Sequence, residues 1–219
     1  MAGPRDEPLL VEVARCLATT ASNSELGQRA CVDSHVPAVI SYLLKSSRFN
    51  SVLEHACTVV VHLCHGSGPG GSEGKRACVG ADVPSALCDI LRAQYEGKVT
   101  KAAATALATI AGASAYGAEA AADAGAIAVC AELLTGLLSD GSGQSGSGSG
   151  NVGMSSPEIS KRLVFVISFV CQEYPAARAQ LNSAAVPATL KNLLLSLHQR
   201  HPDKQAKEHS GWLAKQMKG

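Results

Sequence analysis

An internal repeat constrains this chain more than any other feature. The segment 29–32, with the sequence RACV, is followed five residues later by Pro37. The same four residues return at 76–79, and Pro84 follows them at the same distance. The offset between the two copies is 47 residues. Periods of about 40–47 residues are typical of helical solenoids, in which each unit packs only against its neighbours.

Two further units follow the first two. The steps between the helix starts that mark the four units are about 47, 44 and 60 residues. The longest step contains the run 139–153, which is almost wholly Gly and Ser, and without it the step returns to about 45 residues. This composition predicts a flexible loop, because it cannot bury enough apolar area to offset the entropy of ordering. The marker residues are Val36, Val83, Ile127 and Pro187.

Each unit shows the same order of local signals. A small-residue break leads to Pro or Ala at the first turn of a helix, where the missing N–H of proline costs nothing. A polar linker follows, and then a longer helix whose apolar residues recur at three- and four-residue spacing. We predict the earlier helix over 36–44, 83–92, 127–138 and 186–198, and the longer one over 51–65, 98–112, 158–173 and 205–217.

The repeat also predicts the domain organisation. We expect a single domain over residues 1–219. The segment 9–21 has the pattern of the long last helix of an incomplete unit, and the last unit turns polar, so both ends are interpreted as caps. The repeats are expected at about 28–74, 75–120, 121–178 and 179–219.

Composition excludes several classes of protein. A formal net charge of +1 argues against a protein that coats nucleic acid, because that task needs a dense cationic face. Aromatic residues make up only 4% of the chain, and Ala, Leu and Val fill their place, which favours close-packed helices over strands. The apolar stretch 163–171 is about half as long as the roughly 20 residues that a membrane span needs.

The start of the chain and its cysteines predict the compartment. The first eight residues hold two acids and two prolines, where a signal peptide needs a basic cap and an apolar run. All eight cysteines lie among helix-forming apolar residues, which predicts buried, reduced thiols rather than disulfides. We therefore expect a cytoplasmic protein, with the nucleus as the alternative.

No motif predicts an enzyme. The segments 66–71 and 141–146 both spell G-x-G-x-x-G, but that fingerprint needs a strand before it and a helix after it, and neither has that context. His55, His62 and His65 fall near one another on one helix, but no second segment supplies the other ligands of a tetrahedral zinc site. No nucleophile can be paired with a base. We expect no catalytic residue, no metal, no cofactor and no small-molecule substrate.

The helix-start segments carry a resemblance to a known family. Each combines a small-residue break, Val-Pro or Ala-Ile, and a Leu-rich helix, as in the second helix of an armadillo repeat, and the Ala-rich helices that follow resemble its third helix. The likeness extends from Leu9 to the C-terminus, except for the Gly/Ser run. It implies an all-α, right-handed α-solenoid with partial caps. HEAT repeats, with two helices per unit, are the alternative. The segments are SHVPAVISYLL (34–44), ADVPSALCDIL (81–91), AGAIAVCAELL (124–134) and AAVPATLKNLL (184–194).

The resemblance also implies a binding groove. In armadillo proteins the third helices line a concave groove that receives extended peptides or partner helices. In nuclear-import adaptors this groove carries rows of Trp and Asn, but only Trp212 matches here and no row position is Asn. Recognition of nuclear-localisation peptides is therefore not expected. The two groove rows in this chain are Thr58, Thr105, Phe165 and Trp212, and beside them His62, Thr109, Phe169 and Gln216.

The function implied by the resemblance is a non-catalytic scaffold or adaptor that binds a protein partner. We expect most of the affinity from the C-terminal half of the groove, around Phe165, Phe169 and Trp212, flanked by Arg162 and Lys161. Packing of both phenylalanines against the next repeat is the alternative for those rings. Two other functions stay open: a dissociation stimulator of a small GTPase, and an assembly element of a cytoskeletal or ciliary complex. A fragment of a longer solenoid is also left open.

Overall fold

The structure, a computed structural model, describes residues 6–22, 24–66, 68–139, 157–183, 186 and 189–217. Over these residues the chain forms twelve α-helices, one 3₁₀ helix and no strand. The all-α architecture predicted from the repeat is confirmed. The helices are α1 (Glu7–Ala21), α2 (Glu25–Asp33), α3 (Val36–Ser46), α4 (Asn50–Cys64), α5 (Pro69–Gly80), α6 (Val83–Arg92), α7 (Gly97–Ala111), α8 (Ala115–Asp123), α9 (Ala126–Ser139), α10 (Pro157–Glu173), η1 (Pro175–Asn182), α11 (Leu190–Arg200) and α12 (Lys204–Gln216).

Three helices form each repeat. The order is α2–α3–α4, α5–α6–α7 and α8–α9–α10, and η1, α11 and α12 form a fourth unit. The third helices pack in one row, in which α1, α4, α7, α10 and α12 each contact the next. The second helices α3, α6, α9 and α11 form another row. Because HEAT units have two helices, the three-helix order favours the armadillo alternative.

The repeats begin earlier than the sequence pattern suggested. The expected starts at 28, 75, 121 and 179 fall inside the first helices, which begin at residues 25, 69, 115 and 175. The difference has a physical reason in α5, because its glycine-rich first turns have the composition of a linker. Its glycines are instead buried at a helix crossing.

The first helices cross the end of the preceding third helix at backbone distance. In each of the first three repeats the crossing has a glycine on the first helix, and a Cβ there would overlap a carbonyl oxygen of the preceding third helix. In the fourth unit, Ala177 lies at the position that Gly117 has in the third repeat. The first helix of this unit, η1, is a 3₁₀ helix instead of an α-helix. A Cβ at Gly27 would lie 1.9 Å from the carbonyl oxygen of Thr20. At Gly74 it would lie 2.0 Å from that of Leu63, and at Gly117 it would lie 2.1 Å from that of Ile110.

A left-handed residue precedes each of the first three second helices. His35, Asp82 and Gly125 have φ values of 57°, 59° and 82°. His and Asp are among the non-glycine residues that adopt this conformation most readily, and glycine adopts it without steric cost. This residue separates the first helix from the second, and it accounts for the small-residue break in the sequence.

A polar side chain of the first helix caps the third helix of the same repeat. Gln28 donates through Nε2 to the carbonyls of His62 and His65, at 2.8 and 3.1 Å. Lys75, which lies 47 residues later, donates through Nζ to the carbonyl of Gly112 at 2.5 Å. These bonds satisfy carbonyls that a helix C-terminus leaves without a partner. Burial lowers the pKa of Lys75.

All eight cysteines are free thiols, and seven of them are buried. Burial raises the pKa of Cys57, Cys88 and Cys171 to about 12 in each case, so these thiols stay protonated and act as small apolar side chains. Cys16 departs from the prediction because it is exposed. It lies on α1, and no described helix precedes α1 to cover its outer side.

Two predicted elements lie partly outside the described residues. Of the Gly/Ser run 139–153, only Ser139 is among the described residues, and it ends α9. In the fourth unit α11 begins at Leu190 rather than at Val186, and residues 184–185 and 187–188 are not among those described. Among the helices that can be tested, none is by itself long and apolar enough to cross a membrane. The helices at 115–123 and 126–137, which meet at a sharp bend, are together long and apolar enough, judged by length and composition alone.

Candidate partner-binding site

The row of third helices carries all eight of the predicted site residues. His62 lies on α4, Thr105 and Thr109 on α7, and the remaining five on α10 and α12. We call the side of α4, α7, α10 and α12 that carries the two predicted rows the third-helix face. Phe165 is buried and the other seven are half-buried: His62, Thr105, Thr109, Arg162, Phe169, Trp212 and Gln216.

The N-terminal half of the third-helix face is open between α4 and α7. A depression of about 450 Å³ lies between these two helices. Small side chains leave this space, because an aromatic ring at the same row positions would fill it. The lining residues are Glu54, Thr58, Val61, Lys98, Lys101, Ala102 and Thr105.

Lysines are the main hydrogen-bond donors of this depression. The hydroxyls of Thr58 and Thr105 already donate to the carbonyls of Glu54 and Lys101 on their own helices, at 3.0 and 2.8 Å. Each threonine oxygen is therefore left mainly as an acceptor. Lys98 and Lys101 are exposed, and neither has an ion-pair partner within the described part of the chain. With Glu54 as the single acid of the lining, the depression carries a net positive charge.

His62 lies on α4, on the same face as the depression, as a neutral side chain. Burial, and to a smaller extent the neighbouring His65, lowers the pKa of His62. Within the residues that the structure describes, no group of three or more His, Cys, Asp or Glu side chains could hold a metal ion. His55, also on α4, bonds to the carbonyl of Ser51 at 2.7 Å.

In the C-terminal half, aromatic rings join α10 to α12. Phe165 is 7% exposed, and the centre of its ring lies 5.7 Å from that of Phe169 and 5.0 Å from that of His209. Phe169 and His209 are 5.5 Å apart, edge to face. Ser168 Oγ lies 2.6 Å from His209 Nδ1 and also accepts a bond from Gln172 Nε2 at 3.2 Å. The rings and this bond fix the last helix on its neighbour.

The cations expected beside these rings differ in availability. Lys161 pairs with Asp203 at 2.6 Å and lies 5.7 Å from the centre of the Phe165 ring. The hydrogen bond from Lys161 lowers the pKa of Asp203, which also caps α12 through Ala206 N–H. Arg162 is different, because its Nε is buried with no hydrogen-bond partner among the described residues. Lys161 therefore supports the fold, whereas the half-buried Arg162 makes no ion pair among the described residues.

Trp212 forms the C-terminal rim of the face. The guanidinium of Arg178, on η1, lies over the indole ring at 5.5 Å from its centre. Arg178 also donates through Nε to the carbonyl of Cys171 at 3.0 Å. Gln216 lies one turn further along α12 and is half-buried. The Trp212 ring is thus held in position while part of it stays accessible.

His209 and Arg178 were not predicted from the sequence as part of this site. His209 lies three residues before Trp212, a spacing that places it on the same side of α12. That spacing is the one signal that could have found it. The position of Arg178 depends on η1, which is a 3₁₀ helix where the first three repeats have an α-helix.

Comparisons with known proteins support the fold and leave the function open. No protein-family model matches the sequence, and no curated protein sequence matches it. Many solved structures are similar, and three of them are compared with this chain. An engineered protein solved by the Northeast Structural Genomics Consortium has a TM-score of 0.73 at 24% identity, over 94% of this chain and 72% of its own. The armadillo-repeats-only protein ARO from Plasmodium falciparum has a TM-score of 0.65 at 17% identity, over 94% and 79%.

The third similar structure contains a bound peptide. It is a designed armadillo repeat protein in complex with the peptide (KR)4, with a TM-score of 0.61 at 17% identity. The match covers 98% of this chain and 95% of the designed protein. Together with the three-helix repeats, these likenesses show that this chain has the fold of an armadillo-repeat solenoid. Proteins with this fold are typically protein-binding scaffolds.

Proposed function

We propose that the chain is a non-catalytic scaffold that binds a segment of a protein partner along the third-helix face. The observation that carries the proposal is the row of packed third helices, which presents half-buried side chains at repeated positions around an open depression. The designed armadillo protein with its bound peptide supports this use of the fold. A rigid wall of packed helices loses little freedom on binding, so more of the contact energy becomes affinity.

The charge of the face favours acidic residues in that segment. The designed protein binds a peptide of lysine and arginine. Here, Lys98 and Lys101 border the depression without ion pairs among the described residues, and Arg162 has a buried Nε without an acceptor. A basic segment would be repelled at these positions, whereas carboxylates would be attracted. We therefore infer a partner segment with Asp or Glu opposite α7.

A reducing compartment, the cytoplasm or the nucleus, is part of the proposal. Its support is that all eight cysteines are free thiols and seven of them are buried. Regulation of a small GTPase and assembly of a cytoskeletal or ciliary complex stay alternative predictions. Nucleotide release from candidate GTPases, measured with and without the chain, tests the former.

The site is tested by filling the depression. A partner captured from the native source and identified by mass spectrometry is purified and titrated against Thr105→Arg and against Gly136→Arg. The second variant adds the same side chain on α9, where a Cβ meets nothing within 4 Å. We expect Thr105→Arg to weaken binding at least about tenfold and Gly136→Arg to leave it unchanged. Equal affinities for both variants would place the partner elsewhere.

The charge of the partner segment is tested separately. Lys101→Glu reverses a charge at the depression, and Arg76→Glu makes the same change on α5, at an exposed residue that has no ion pair among the described residues. We expect the affinity to fall for Lys101→Glu alone, and to fall for the unaltered chain as salt is raised. If Lys101→Glu strengthens binding instead, the bound segment is basic and the inference about carboxylates is wrong.

A further inference from the structure

A second cavity lies away from the third-helix face. It has a volume of about 520 Å³ and is formed by α1, the end of α3 with the linker into α4, and the linker before α7. It shares no lining residue with the depression between α4 and α7. We call it the aromatic cleft, after Tyr42, Phe49 and Tyr95, which line it together with Leu10, Lys45 and Arg48.

The cleft concentrates aromatic side chains in a chain that has few. The whole sequence has four Tyr, three Phe and one Trp, and three of these eight rings meet here. Tyr42 is 65% exposed, and the rings of Phe49 and Tyr95 are half-buried. Exposed aromatic rings beside arginine are the composition of protein-binding hot spots, because they bury large areas at low entropy cost.

The polar groups of the cleft are mostly donors without partners. Arg48 is exposed and makes no ion pair with any described residue, and the lining contains no carboxylate. The hydroxyls of Tyr42 and Tyr95 make no hydrogen bond within the described ranges. Lys45 differs, because it pairs with Asp82 at 2.7 Å. The cleft thus combines apolar walls with the hydrogen-bonding capacity to receive a carboxylate at Arg48.

The linker that presents these side chains is held in place. The backbone N–H of Phe49 donates to Ser47 Oγ at 3.2 Å, and α4 begins directly afterwards at Asn50. This bond fixes the turn in which Arg48 and Phe49 lie. A fixed turn presents both side chains with little ordering left to occur on binding.

We propose that the aromatic cleft binds a short peptide segment in which a large apolar side chain lies next to Asp or Glu. The apolar side chain enters between Tyr42 and Phe49, and the carboxylate pairs with Arg48. A peptide fits better than a small metabolite, because the charged group lies on the exposed rim and not in the interior of the cavity. This proposal does not depend on the function of the third-helix face.

The experiment titrates the isotope-labelled full chain with blocked peptides and follows the backbone amides by two-dimensional NMR. Three peptides share one Gly/Ser frame and carry a central Phe between two Glu, a central Phe between two Lys, or a central Ala between two Glu. We expect the Phe/Glu peptide to shift the amides of 42–49 and Tyr95, and the other two to bind at least about fivefold more weakly. N-acetylphenylalanine is titrated in parallel as the small-molecule probe.

Variants make the assignment specific. Tyr42→Ala and Arg48→Gln each weaken the Phe/Glu peptide at least about fivefold, while Tyr116→Ala, on α8 and 50% exposed in the unaltered chain, does not. Unchanged melting temperatures show that each variant is folded. No shift at the cleft, equal binding of the Lys peptide, or tight binding of N-acetylphenylalanine alone would overturn the proposal. Shifts confined to the third-helix face would overturn it too, while leaving the function proposed for that face intact.

Discussion

In the N-terminal half of the third-helix face, α4 and α7 meet through threonine, valine and alanine, whereas in the C-terminal half α10 and α12 meet through three rings. Thr105 and Phe165 occupy the same row position in consecutive repeats, yet one borders an open depression and the other is 7% exposed. The larger side chain is the less accessible one, because His209 on the next helix covers it.

The charges of the two halves differ in the same way. Lys101 is exposed and unpaired among the described residues, while Lys161, at the equivalent position, pairs with Asp203. The N-terminal half is therefore an open, cationic surface. In the C-terminal half, most of the rings and Lys161 hold the last repeat in place. Trp212 and Arg162 lie half-buried at the edge of this half. Equivalent positions of a solenoid can thus be open in one repeat and packed against the next helix in another.

The largest effect is expected for the most buried ring. Phe165→Ala removes a side chain packed between Phe169 and His209 and should lower the free energy of unfolding by about 3–5 kcal/mol. Thr105→Ala, at the equivalent half-buried position, should change it by less than about 1 kcal/mol. Urea denaturation followed by circular dichroism measures both. Similar losses for the two variants would remove the distinction between the halves.

The backbone crossings of the first three repeats provide the next test. A Cβ at Gly74 would lie 2.0 Å from the carbonyl oxygen of Leu63, so Gly74→Ala should destabilise the chain by about 1–3 kcal/mol. Gly136→Ala, where a Cβ meets nothing within 4 Å, should stabilise it by about 0.5–1 kcal/mol. Thermal or chemical denaturation distinguishes the two. A stabilised Gly74→Ala variant would show that the crossing opens at little cost.

The sequence was sufficient to predict the armadillo-type fold and the second and third helices of the repeats. Periodicity carries that information, because the same apolar spacing returns in each third helix. It could not predict which row residues are covered. Thr105 and Phe165 have the same place in the pattern, and the burial of Phe165 depends on His209, which lies 44 residues further along the chain.

The first helices were less predictable for a related reason. The first turns of α5 have the glycine-rich composition of a linker, but Gly70, Gly71 and Gly74 are buried because other backbone and side-chain atoms lie within contact distance. The aromatic cleft was not found from sequence at all. Tyr42 lies near the end of α3, Phe49 in the linker after it and Tyr95 in the linker before α7, and only the stacking of repeats brings these segments together. The buried glycines of α5 and the aromatic cleft both depend on contacts between distant parts of the chain, which cannot be predicted from local composition.

Partner affinity tests where recognition occurs. The prediction that the C-terminal half supplies most of the affinity now depends on Trp212 and Phe169, the two half-buried rings of the rows. We expect Trp212→Ala and Phe169→Ala to weaken binding by about 1–3 kcal/mol each, and Thr58→Ala and Thr105→Ala by less. Isothermal titration with the purified partner measures this, after each variant is shown to fold. Larger losses for the threonine variants would assign recognition to the open half.

The smallest effect is a pH dependence that separates the halves again. Burial lowers the pKa of His209, although Glu208 opposes the shift, and Phe165, Phe169 and Ser168 surround the ring from α10. The folded chain therefore favours the neutral imidazole. The stability that this group contributes is present above its unfolded pKa of about 6.5 and is lost as the pH falls towards the lower folded pKa.

The melting temperature should accordingly fall between about pH 7 and about pH 5.5, and His209→Gln should show a weaker fall than the unaltered chain. His62, in the open half, also has a lowered pKa, so His62→Gln is the matched control. Because His209 lies in the cluster that joins α10 to α12, its protonation loosens the last repeat, and exchange of the α12 amides should rise first on acidification. If His62→Gln removes the pH dependence and His209→Gln does not, the sensitive contact lies in the N-terminal half, and the aromatic cluster tolerates a charged imidazole.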